Sequence, residues 1–192
     1  AHDAANPTQS YGGDRFRLPD PPASGAALRL ASGAWARPVD ACLGVEGLPQ
    51  SATGQTTLLT GVNAAAALGR HKEGFPGPRL REILLERSLL RQVTAAGRRA
   101  AFLNGFRDPF FAWPRDRKLR TSATTVATLA ADLPFFSGAD VAAGRAIYHD
   151  FTGRQLRALG FDSPLREPAE AGAILAAQAR RHDFLLYEYF LT

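Results

Sequence analysis

The stretch Gly47-Leu48-Pro49-Gln50-Ser51-Ala52-Thr53-Gly54-Gln55-Thr56-Thr57-Leu58-Leu59-Thr60-Gly61 holds the groups best suited to chemistry. Hydroxyls recur at Ser51, Thr53, Thr56, Thr57 and Thr60. The apolar run Val39 to Val45 precedes them and is expected to be a strand, ended by the Gly47-to-Gln50 break. From Ser51 the spacing turns helical, with Leu58, Leu59 and Val62 on one face. In open α/β sheets, strand-to-helix turns of this kind line the ligand crevice. The N–H groups of a helix start attract anions, phosphate included. Two roles fit a serine at such a turn. One is an N-cap that stabilises the helix by about 1 kcal/mol. The other is a hydroxyl presented to a bound anion, and a run of hydroxyls in an otherwise apolar helix tilts the reading that way.

The elements that would position this segment read as alternating helix and strand. Residues 1–25 are rich in Pro, Gly, Asp and Asn and are expected to form a surface loop. Arg70 to Pro78 is a Gly/Pro loop. Leu80, Ile83, Leu84, Leu89, Leu90 and Val93 have the spacing of one helix, with Gly97 after its end. Arg99 to Asn104 is a strand candidate, and Phe106 to Trp113 an aromatic loop. Ser122 to Leu133 reads as a helix stopped by Pro134, and Asp140 to Arg145 as a helical turn. Ile147 to Phe151 reads as strand, Gln155 to Leu159 as helix, Pro168 to Arg181 as helix, and Asp183 to Leu191 as a closing strand. This alternation argues for one α/β domain over residues 1–192, layered around a mostly parallel sheet.

Composition narrows the classes. The chain has 192 residues, enough for one sizeable core. Its formal net charge is +5, carried almost wholly by Arg, since Lys72 and Lys118 are the only lysines. The basic clusters, such as Arg115 with Arg117, Lys118 and Arg120, are not interleaved with aromatics as a nucleic-acid stacking surface would be. A solvated face, or attraction for a small anionic substrate, fits this charge better than nucleic acid does. No apolar run approaches the ~20 residues that span a membrane, and the N-terminus lacks the order of a signal peptide. The expectation is a soluble, cytoplasmic protein. The lone Cys42 excludes an internal disulfide and a cysteine metal cluster.

Other residues invite a site reading. Arg70, His71 and Lys72, in a loop not far in sequence from the Ser51 helix, could contact an anionic substrate or simply form a solvent-exposed loop. Asn104 closes a predicted strand, where its amide could donate to a phosphoryl oxygen or simply make a turn. Tyr148-His149-Asp150 suggests a metal site, but neighbours on a strand point apart and a structural role is expected. His182-Asp183 meets the same objection, and His2-Asp3 lies near an end. Glu188 and Asp132 have no evident partners in the sequence, and Trp35 and Trp113 read as packing.

The Ser51 segment resembles the nucleophile motif of the alkaline phosphatase superfamily. Thr57-Leu58-Leu59-Thr60-Gly61 is similar to the Thr-Leu-x-Thr-Gly of nucleotide pyrophosphatases, and counting back ten residues from Gly61 reaches Ser51. Gln50-Ser51-Ala52-Thr53-Gly54-Gln55 is similar to the Asn-Ser-Glu-Val-Gly-His of cofactor-independent phosphoglycerate mutases, with serine and glycine in register and Gln55 in place of the His. Over residues 36–192 the chain resembles metalloenzyme-domain proteins related to phosphopentomutase and phosphoglycerate mutase. Ala4-Ala5-Asn6-Pro7 and the closing Asp183-to-Thr192 strand resemble the flanks of that family's Asp-Gly and Asp-x-x-Gly-His metal motifs.

The resemblance implies a three-layer α/β/α sandwich, incomplete at both ends. It implies phosphoryl transfer by a phosphoester hydrolase or phosphomutase, with Ser51 as nucleophile and as a metal ligand. Thr53, Gln55, His71 and Asn104 would contact a small phosphorylated substrate. Two divalent ions, Zn or Mn, would be bound mainly by Asp and His residues beyond these 192, so the chain is expected to be an inactive piece of a longer protein; the absence of Met fits that expectation. The rival expectation is a non-catalytic α/β module that holds a phosphate-bearing ligand at the Ser51 turn.

Overall fold

The computed structural model describes residues 27–29, 33, 35–37 and 39–189. The loop expected over residues 1–25, with His2-Asp3 and Ala4 to Pro7, lies outside the described residues. Ten helices and six strands follow one another among those described. A short hairpin comes first, β1 (Leu28–Arg29) with β2 (Trp35–Ala36). A helical layer follows: α1 (Ser51–Thr60), α2 (Ala64–Leu68), α3 (Pro78–Arg87) and α4 (Leu89–Ala95). Next come β3 (Ala100–Phe102), β4 (Gly105–Phe106), α5 (Asp108–Phe111), α6 (Arg115–Lys118) and α7 (Ala123–Ala130). The remainder is β5 (Phe136–Ser137), α8 (Gly138–Ala142), α9 (Arg154–Ala158), α10 (Pro168–Ala179) and β6 (Phe184–Leu186).

Mixed helices with a few short parallel strands make this an α/β chain. β3 pairs in parallel with β6, Ala100 opposite Phe184 and Phe102 opposite Leu186. β4 pairs in parallel with β5, and an isolated parallel bridge joins Asn104 to Ile147. On one side, Leu59, Leu84, Leu90, Val126 and Ala127 form a core that Phe184 and Leu186 complete. On the other, Leu103, Val141, Ile147, Tyr148 and Leu156 pack with Ile174, Leu185 and Tyr187. Alternate residues of β6 thus serve opposite clusters, as the two-residue repeat of a strand requires.

Several expected elements change for identifiable reasons. Val39 to Val45 is a turn, not a strand: the Asp40 carboxylate accepts from the amides of Cys42 at 2.9 Å and Gly44 at 3.1 Å. That local capture competes with any ladder, and Leu43 takes a positive φ of 55°. The single helix expected over Leu80 to Val93 is two, because Ser88 leaves helical geometry at ψ 129°. Its buried hydroxyl donates to Ala127 O at 3.0 Å, a bond to α7 that a straight helix would lose. Ile147 to Phe151 contributes only the bridge at Ile147. There the Asp150 carboxylate turns to accept from Gln155 N at 2.6 Å and Leu156 N at 3.2 Å, which starts α9. Burial pushes that carboxyl up, but these bonds and one from the Thr152 hydroxyl hold it below the usual carboxylate range. Among the described residues the closing strand is paired over Phe184–Leu186 alone, and residues 190–191 of the expected strand lie outside them. The aromatic loop carries the helical turn α5. Leu58, expected to share one face of α1 with Leu59, is exposed while Leu59 is buried.

No helix among the described residues is long and apolar enough to cross a membrane.

Candidate active site

Helix α1 begins without a side-chain cap. Gln50 occupies the cap position in extended geometry, and Ser51 is the first helical residue, exposed. Its hydroxyl meets the loop after α2: Gly74 N donates to Ser51 Oγ at 2.9 Å, while Ser51 Oγ reaches Gly74 O only at 3.5 Å. The oxygen therefore receives one good bond, and the hydroxyl's own proton has only a long contact. An N–H donor at the oxygen also favours its ionised form.

The remaining hydroxyls of the run are structural. Thr56, Thr57 and Thr60 donate back to the carbonyls of Ala52 at 2.7 Å, Thr53 at 2.9 Å and Thr56 at 2.6 Å. Thr57 Oγ1 also accepts from Ala64 N at 3.1 Å, tying α2 to α1. Thr53, 1% exposed, donates to Gln50 O and accepts from Lys72 N at 3.2 Å. A polar helix is thereby buried with its hydroxyls satisfied. Thr53 sits too deep to meet a ligand without rearrangement.

The start of α1 also differs from the expectation. The amides of Ala52 and Thr53 both point at Lys72 O, at 3.0 and 3.3 Å. The donors that would have faced an anion are occupied by the neighbouring loop. Gln55 is half-buried one turn along. His71 Nε2 donates to Val45 O at 3.1 Å, since a carbonyl can only accept, and its ring packs on Gly47. It fastens the 40–47 turn to the loop that holds Ser51.

Asn104, 5% exposed, is brought to a different place. Its amide nitrogen donates to Glu188 O at 2.8 Å, and its amide oxygen accepts from Glu188 N at 2.9 Å. The side chain thus stands in for a strand partner just past the end of the β3–β6 ladder. This fixes the Glu188 carboxyl, which accepts from Thr124 Oγ1 at 2.9 Å. Burial pushes that carboxyl above the usual range, and the Thr124 hydroxyl pulls it part of the way back.

Glu188 faces a cavity of about 240 Å³ at the carboxyl ends of β3 and β6, with Asn104, Arg107, Ser122, Tyr148 and His149 among its walls. This is the edge where open parallel sheets hold ligands. The Arg107 guanidinium stacks on the Phe161 ring at 3.8 Å. A second cavity, about 290 Å³, is lined by Phe75, Arg107, Phe110, Trp113, Ser122 and Thr125. Arg107 and Ser122 are common to both. Phe75 connects the second cavity to Ser51, since it directly follows Gly74.

Sequence reasoning singled out Ser51, Thr53, Gln55, His71 and Asn104. The first, second and fourth gather around one loop, Gln55 lies one turn further along α1, and Asn104 belongs to the sheet edge. It missed Glu188, Ser122 and Thr124. One signal was present: Ser-Ala-Thr occurs at residues 51–53 and again at 122–124, each time at a helix start.

No family model matches the chain, and neither the curated proteins nor the solved structures show a significant match to it. Among the described residues, no three His, Cys, Asp or Glu side chains gather in a way that could hold a metal ion.

Proposed function

We propose that this chain carries the nucleophile of a phosphoryl-transfer enzyme of the alkaline phosphatase type, a phosphoester hydrolase or phosphomutase, with Ser51 attacking phosphorus. The observation that carries the reading is the state of the Ser51 hydroxyl: exposed, uncommitted to capping its own helix, and receiving Gly74 N–H at 2.9 Å. In this reading Ser51 Oγ forms the new bond to phosphorus and the ester oxygen departs with the electron pair. A water or a second hydroxyl then takes the phosphoryl group from the serine. The Gly74 amide steadies the oxygen as it loses its proton.

Serine needs activation at neutral pH, and two divalent ions, Zn or Mn, would supply it when bound. The described residues do not assemble a ligand set for such ions, so those ligands are proposed to come from residues outside them. The short parallel strands flanked by helices support, as a further part of the proposal, a three-layer α/β/α sandwich. A cytoplasmic protein acting on a small phosphorylated substrate, without nucleic-acid or membrane partners, completes it.

The test is turnover of p-nitrophenyl phosphate and bis(p-nitrophenyl) phosphate by the full-length protein in Mn or Zn. Ser51→Ala is expected to lower kcat by at least about 10³-fold, as removal of a covalent nucleophile does. Turnover unchanged by that substitution overturns the reading.

A further inference from the structure

The two cavities are joined by a continuous line of hydroxyls ending on a carboxyl. Thr124 Oγ1 lies 2.9 Å from Glu188 Oε2, Ser122 Oγ 2.9 Å from Thr124 Oγ1, and Thr125 Oγ1 2.9 Å from Ser122 Oγ. Glu188 lines the first cavity, Thr125 the second, and Ser122 both.

Each hydroxyl has one proton to give, which fixes the direction of the line. When Glu188 is ionised it can only accept, so Thr124 donates to it. Ser122 must then donate to Thr124, and Thr125 to Ser122. When Glu188 carries its proton on Oε2, the same contacts are satisfied with every hydroxyl reversed. Thr124, 1% exposed and on the wall of neither cavity, is shielded from water that would otherwise break the line at its middle.

We infer that Glu188, Thr124, Ser122 and Thr125 form a proton-relay site, in which Glu188 acts as acid and base toward a small molecule with an ionisable O–H or N–H in the first cavity. One proton enters the line at Thr125 from a water molecule in the second cavity, which Thr125 lines. Thr125 passes its own proton to Ser122, Ser122 to Thr124, and Thr124 to Glu188 Oε2. The reverse run returns a proton to the second cavity, so no net proton is made or lost. The site owes nothing to Ser51 and extends beyond the nucleophile reading. Burial of the Glu188 carboxyl keeps its protonated form accessible nearer to neutral pH than an exposed Glu would be. The other titratable or charged side chains on that cavity are Arg107, Tyr148 and His149.

The experiment is a pH titration of the full chain by NMR, with 13C-labelled Glu and Thr. The Glu188 carboxyl carbon and the Thr125 Cβ are expected to move with one common midpoint. In Thr124→Val, which keeps the shape but breaks the line, the Glu188 midpoint rises and the Thr125 response at that midpoint disappears. In Glu188→Gln, which accepts from Thr124 but does not titrate, the Thr125 response also disappears. If Thr125 keeps its response in Glu188→Gln, another group such as His149 drives it and the relay is overturned. If Thr125 fails to follow Glu188 in the wild-type chain, the relay is likewise overturned. Should Thr124→Val fail to fold, Glu188→Gln decides alone.

Discussion

The same three residues, Ser-Ala-Thr, open α1 at position 51 and α7 at position 122, and they do different work. At α7 the serine is the cap: Ser122 Oγ accepts from Thr125 N at 3.2 Å. At α1 the helix starts one residue earlier in the motif, with Gln50 as the cap, so Ser51 caps nothing and turns to the loop at Gly74. The threonines diverge too. Thr53 binds a loop amide 19 residues away, whereas Thr124 reaches a carboxyl 64 residues away. A local motif thus chooses a helix start, while its partners decide whether the hydroxyl caps its own helix, clamps a loop, meets a distant carboxyl or stays exposed. α1 finds its partners in the next loop. α7 finds them across the sheet.

That contrast can be tested from its most costly contact downward. The long-range copy depends on Asn104 to hold Glu188. Asn104→Leu removes both bonds to the Glu188 backbone and leaves a part-buried N–H and C=O without these partners. The expected loss is about 2–4 kcal/mol, read as a lower midpoint in urea unfolding. A loss below about 1 kcal/mol would mean that Glu188 holds its place without this clamp. On the α1 side, Thr53→Val keeps the volume but leaves Lys72 N unpaired beside a buried methyl, at an expected cost of about 1–2 kcal/mol. Measured under the same conditions, the two values compare a cross-sheet tie with a local one.

A smaller effect separates the two carboxyl environments of the second region. Glu188 is raised above its ordinary 4.5, mainly by burial. The folded chain therefore holds a proton there that the unfolded chain has already released, and stability falls as pH rises from about 4.5 through the folded value. Glu188→Gln removes that slope. Asp150 has the opposite sign: its lowered value means its contribution is present above 3.8 and is lost as pH falls below it. Stability curves of the wild type, Glu188→Gln and Asp150→Asn against pH should show one slope vanish in each variant. A Glu188→Gln curve parallel to the wild type's would place that carboxyl in water.

How much was legible follows the same division. The helix starts at Ser51 and Ser122, the strand before Asn104 and the helix from Pro168 could be read because local spacing, the Ser122 cap and a proline in the first turn at Pro168 mark them. The turn at Asp40 and the break at Ser88 could not. Each depends on a side chain preferring one hydrogen bond over the regular ladder, Asp40 to the amides of Cys42 and Gly44, Ser88 to Ala127 O. Glu188 was visible as a residue but not as part of a site. Its surroundings come from Asn104, 84 positions away, and Thr124, 64 positions away. The hydroxyl run of α1 reads in the sequence as a ligand-facing row, but most of it is turned inward. Thr56, Thr57 and Thr60 spend their protons on helix carbonyls, and Ser51 alone is left at the surface.

The smallest expected effect bears most on chemistry. Ser122→Ala deletes a side-chain cap and should cost about 1 kcal/mol. Ser51→Ala deletes a bond between an exposed hydroxyl and a loop amide that water can replace, and should cost under about 0.5 kcal/mol. Equilibrium unfolding of the two variants gives the difference directly. A serine that contributes little to stability, yet is held at 2.9 Å by a backbone donor, is placed by the fold without being needed for it. Equal costs at the two positions would make Ser51 one more structural hydroxyl, and would leave the sheet-edge cavity with Glu188 as the better place to look for function.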